Sequence, residues 1–176
     1  MSQVRYHRVP ETFWALAREH NWPEKTIILG LYVQTCKHRN TEGLYLLPLA
    51  YVSADLGWTP AVVERNMSQL GKAGFIKYDS RAELLLLPSA LETQAPKAPM
   101  QIQGAISRLK YLPASPLLHD LYGYASTYSD GFADAIRVAF PVVTRVGTPN
   151  GKSNGKSDTH SSPLTRTQAH AQRTEG

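Results

Sequence analysis

Ala61, Glu64, Arg65, Ser68, Gln69 and Lys72 recur at spacings that gather them on one side of a helix. Their side chains suit nucleic-acid recognition. Arginine hydrogen-bonds guanine, glutamine adenine and serine either, while lysine meets phosphate. The same face without context is an ordinary solvated surface, so its position in the chain carries the argument. Just ahead of it, Thr59 supplies an N-cap and Pro60 the first helical residue. Beyond it, Lys77, Tyr78, Ser80 and Arg81 surround a polar turn, where Arg81 suits a phosphate or minor-groove contact. These positions are the candidate contacts to double-stranded DNA.

Other chemistry finds less support. The six histidines (His7, His20, His38, His119, His160 and His170) are scattered, and no paired carboxylates fall beside one in an apolar setting. Cys36 is the single cysteine, which excludes an intrachain disulfide and reads as a packed core thiol. Gly147 to Ser153, GTPNGKS, invites comparison with a phosphate-binding loop, but only three residues separate its glycines where four are needed. No enzyme activity, metal or cofactor is expected.

The elements that position the candidate face follow from periodicity and punctuation. Residues 3–9 read as a short strand or arm, in which Arg5, His7 and Arg8 are either solvated edge residues or phosphate contacts. Pro10 opens a helical turn with Phe13 and Trp14 on its apolar side. Pro23 opens a longer helix with Ile27, Ile28, Leu31 and Tyr32 on one stripe, and with Lys37, His38 and Arg39 expected in its last turn. Leu44 to Leu47 reads as a strand, and Leu49 to Leu56 as a helix ended by Gly57. The helix after Pro60 turns Val62 or Val63, Met67, Leu70 and Ala73 to the core, and Gly74 stops it. Phe75 to Tyr78 and Glu83 to Leu87 then read as a hairpin about the tip 79–82.

That order carries a resemblance. TEGLYLLP as first strand, LAYVSADLGW as first helix, TPAVVERNMSQLGKAGFI as recognition helix and KYDSRAELLLLP as wing resemble the winged helix-turn-helix superfamily. Residues 6–87 are also similar to the N-terminal domains of phage replisome-organiser proteins. The resemblance covers about half the chain. It implies a mainly α fold with a small β-hairpin, and sequence-specific DNA binding in replication initiation, through origin recognition or recruitment of helicase-loading machinery. Two alternatives use the same scaffold: a dimeric transcriptional repressor on pseudo-palindromic sites, and an adaptor or inhibitor that contacts a host protein.

The expected organisation is a winged-helix domain over 1–88, a proline-containing linker over 89–99, a short helical segment over 100–142 and a disordered basic tail over 143–176. The helical segment would contact a host replication protein or a second copy, and Tyr111, Tyr122, Tyr124 and Tyr128 invite a stacking reading on single strands. Net charge is +5. Residues 145–176 hold five basic and two acidic side chains, so the tail supplies +3 of it. Thr59 to Arg81 carries four basic and two acidic residues, a modest +2 for a DNA reader. No apolar run is long enough for a membrane span, and the first residues lack a secretory core. A cytoplasmic location without membrane contact is therefore expected.

Overall fold

Leu84, Leu85, Leu86 and Leu87 are all buried, and they alternate between two cores. Successive side chains of a strand point to opposite faces, so an unbroken leucine run requires cover on both sides. The computed structural model describes residues 7–141. Among them are eight helices and one three-stranded antiparallel sheet, a mainly helical architecture.

The strands are β1 (Leu44–Leu46), β2 (Lys77–Asp79) and β3 (Leu84–Leu86), in the order β1-β3-β2. Leu85 faces Tyr45 on one side and Tyr78 on the other. One face of the sheet meets α1 (Thr12–Glu19), α2 (Glu24–Thr35), α3 (Leu49–Leu56) and α4 (Pro60–Lys72). Phe13, Trp22 and Phe75 form a triangle in this core, with ring centroids 5.5 to 5.9 Å apart. The other face, with Leu44, Leu84 and Leu86, is covered by α5 (Ser89–Gln94), α6 (Pro99–Leu109), α7 (Leu117–Tyr128) and α8 (Asp130–Ala139).

Two helices end by the same device. Gly57 after α3 and Gly74 after α4 take left-handed backbone, at φ +66° and +69°. Trp58 N–H then donates to Ser53 O at 3.1 Å, and Phe75 N–H to Leu70 O at 3.0 Å. A Cβ would strain both positions. The first glycine sets the α3–α4 turn, and the second delivers the chain into β2.

Several expectations are corrected. Residues 89–94, expected in a linker, form α5, with Ala90 and Leu91 buried. Prolines are compatible with a helix at its entry, and Pro88 stands at the N-cap of α5. The last-turn placement of Lys37, His38 and Arg39 also fails. Cys36 is extended at ψ 157°, so α2 stops at Thr35. Arg39 instead folds inward to 2% exposure beside His7 Nδ1, where burial lowers its pKa. Burial likewise raises the pKa of the Cys36 thiol, which packs in the first core. Residues 1–6 and 142–176 lie outside the described residues, and with them most of the expected arm, the tail and the loop-like glycines.

No helix among the described residues is long and apolar enough to cross a membrane.

Candidate nucleic-acid interface

Helix α4 is amphipathic as its spacing requires. Val63, Met67 and Leu70 are buried, and Asn66 joins them. Asn66 is held by two bonds: its Nδ2 donates to Val62 O at 2.7 Å, and its Oδ1 accepts from Thr26 Oγ1 at 2.6 Å. This buried polar pair sets α2 against α4. A buried amide without such partners would cost on the order of 1–3 kcal/mol.

The opposite side of α4 exposes Ala61, Glu64, Arg65, Ser68 and Lys72, with Thr59 and Pro60 exposed at its start. Arg65, Ser68 and Lys72 make no side-chain hydrogen bond or ion pair among the described residues. Gln69 differs from them. It is half-buried, and its carboxamide oxygen contacts the Thr26 hydroxyl, so it belongs to the α2–α4 contact.

Glu64, Ser68, Lys77, Tyr78 and Ser80 line one open trough of about 540 Å³ between α4 and the hairpin. The structure thus brings five of the candidate residues together. Thr59, Pro60, Ala61, Arg65, Gln69, Lys72 and Arg81 lie outside that lining.

The hairpin is braced. Asp79 Oδ1 accepts the backbone N–H groups of Arg81 at 3.0 Å and Ala82 at 3.2 Å, and Glu83 takes left-handed backbone at φ +52°. Ser115 Oγ donates to Asp79 Oδ2 at 2.6 Å. The Ser115 bond and these backbone donors hold the Asp79 carboxyl below its usual pKa. Tyr78 donates to Leu47 O at 3.1 Å, and burial pushes its hydroxyl up to about 12. Lys77 pairs with Asp120 of α7. Of the four cations between Thr59 and Arg81, three therefore remain uncommitted among the described residues: Arg65, Lys72 and Arg81.

Comparison with family models, curated proteins and solved structures gives no match for this chain.

Asp120, Ser115 and Thr26 are the partners that sequence reasoning missed. They hold Lys77, Asp79 and Gln69 from 36 to 43 residues away, and no local pattern links such pairs. The Leu84–Leu87 run was the available signal that a second layer covers the sheet. The tyrosines divide. Tyr122 and Tyr124 are half-buried in the second layer, while Tyr111 is 90% exposed. Among the described residues, no three His, Cys, Asp or Glu side chains converge as metal ligands would.

Proposed function

We propose that residues 41–87 form a winged helix-turn-helix and that the chain binds double-stranded DNA through α4 and the β2–β3 hairpin. The carrying observation is the outward face of α4, where Arg65, Lys72 and Ser68, the last in the lining of the trough, stand exposed and without a side-chain partner among the described residues. Such groups are available to phosphates and base edges. The order α2-β1-α3-α4-β2-β3, with sheet order β1-β3-β2, supports the winged-helix reading.

The similarity of residues 6–87 to phage replisome-organiser domains supports a role in replication initiation, by a protein that catalyses no reaction itself. Residues 100–140 would then carry the contact to a host replication protein or to a second copy. Glu64 in the trough favours one other reading, a winged-helix scaffold that contacts a basic protein surface.

Mobility shift tests the proposal, using duplexes from the chain's own replication region and random duplexes at moderate salt. We expect preferential binding to the former and its loss in Arg65→Ala/Lys72→Ala. Equal binding to both duplexes would sink origin recognition. Unchanged binding by the double variant would remove α4 from the interface.

A further inference from the structure

A second concavity shares no lining residue with the trough beside α4. It encloses about 480 Å³, a size common for small-molecule sites. The chain ahead of α1 contributes Arg8, the loop before β1 contributes Thr41, and α5 and α6 contribute Gln94, Met100, Gly104 and Arg108.

Arg108 is fixed in place. Its Nε donates to Glu42 Oε1 at 2.7 Å and its Nη2 to Glu42 Oε2 at 2.9 Å, and the Glu42 carboxylate is fully buried. Nη1 makes no hydrogen bond among the described residues. A Cβ on Gly104 would sit 3.5 Å from Nη1, so the glycine keeps that side of the guanidinium open. Glycine inside a helix costs stability, and here it faces the pocket. Glu42 neutralises Arg108, so Arg8, which is exposed, supplies the net positive charge.

The wall beside Arg108 carries the opposite need. Gln94 Oε1 is buried without a hydrogen-bond partner among the described residues. An orphaned acceptor is costly to leave, and it asks for an N–H donor. Met100, 85% exposed, adds an apolar surface to the same lining.

We propose that this pocket binds a nucleotide. Its phosphate oxygens would accept from the Arg8 guanidinium and, through a single nitrogen, from Arg108 Nη1, since Glu42 already occupies the Arg108 fork. Its base lies against Met100, and the Gln94 side chain turns its Oε1 out of the wall that buries it to accept from an exocyclic amino group of the base. A free mononucleotide and one unit of a single strand carry the same chemistry.

Titration calorimetry on the full chain, with AMP, inorganic phosphate and a short single-stranded adenine oligonucleotide, tests this. AMP or the oligonucleotide should bind, and more tightly than phosphate. Binding by AMP assigns the free nucleotide, and binding by the oligonucleotide alone assigns the strand. Arg8→Ala should weaken either by about tenfold. Gln94→Leu should weaken AMP without affecting phosphate, and should leave thermal stability intact because it removes an unsatisfied acceptor. Gly104→Val should block both. Arg65→Ala/Lys72→Ala should leave this binding unchanged, which separates it from the duplex-DNA interface. Failure of both AMP and the oligonucleotide to bind overturns the proposal, as does binding indifferent to Arg8→Ala and Gly104→Val in folded protein. Phosphate binding as tight as AMP overturns the base contact.

Discussion

Lys77 Nζ lies 2.8 Å from Asp120 Oδ1 and 5.7 Å from the centre of the Tyr124 ring. A cation at the base of the hairpin is thereby committed to α7. Asp120→Ala should release it and remove a nearby negative charge. On the DNA-binding reading, fluorescence anisotropy should then report duplex affinity raised about two- to fivefold. The pair is partly exposed, at 42% and 32%, so its loss should cost under about 1 kcal/mol in a denaturant melt. Unchanged affinity would place Lys77 outside the interface.

Three cations between Thr59 and Arg81, without an ion-pair partner among the described residues, set the expected salt dependence. With Arg65, Lys72 and Arg81 each on a phosphate, log K should fall with log salt at a slope of about −3 for one chain and about −5 for a dimer. Arg81→Ala should reduce the single-chain slope by about one. A flat salt response would contradict phosphate contact and favour the protein-binding reading.

Ser115 couples the hairpin tip to the second layer through Asp79. The Asp79 pKa is depressed when folded, so its contribution is present above the ordinary carboxylate range and is lost as pH falls through the folded value. Ser115→Ala should move that value up towards the ordinary one, about 3.9. Acid unfolding should then begin at a higher pH. A carboxyl NMR titration measures it directly, and an unmoved Asp79 would mean that the backbone donors alone hold it.

Glu42 and Arg108 should respond unequally to removal. Arg108→Ala leaves a fully buried carboxylate with, among the described residues, only the Thr41 hydroxyl, 2.9 Å from Oε2, as a side-chain partner. We expect a loss of about 2–3 kcal/mol by chemical denaturation. Glu42→Gln leaves a half-exposed guanidinium that water can solvate, and should cost less. Equal losses would contradict this account.

A fragment ending at residue 88 would expose Leu44, Leu84 and Leu86 to water. At about 2 kcal/mol for each leucine, the loss approaches the whole stability of an ordinary domain. Circular dichroism melts and size-exclusion chromatography should therefore report an unfolded or associating fragment. A monomeric fragment with the melting point of the full chain would mean that α5–α8 contribute little.

Local order was legible in the residues themselves. Thr59-Pro60 and Gly74 bracket α4, Gly57 ends α3, and the spacing of Val63, Met67 and Leu70 names its buried side. These features act through neighbours a few residues away, by fixed φ, missing Cβ or helical repeat, so the chain determines them before it folds. Asn66 escaped that reading because a polar side chain enters a core only when a distant partner, here Thr26, is waiting for it.

Tertiary structure decided which candidate residues stay free. Gln69, Lys77 and Tyr78 have side chains suited to DNA, yet packing against α2, α7 and the strand end at Leu47 gives each an internal partner. The same packing turned residues 89–94 from an expected linker into a helix, because Leu84 and Leu86 demanded cover on the sheet's second face. Hydrophobic burial and ion pairing act between groups near in space and remote in sequence. Only the folded chain could separate the side chains left for a ligand, such as Arg65 and Lys72, from those committed to holding the fold.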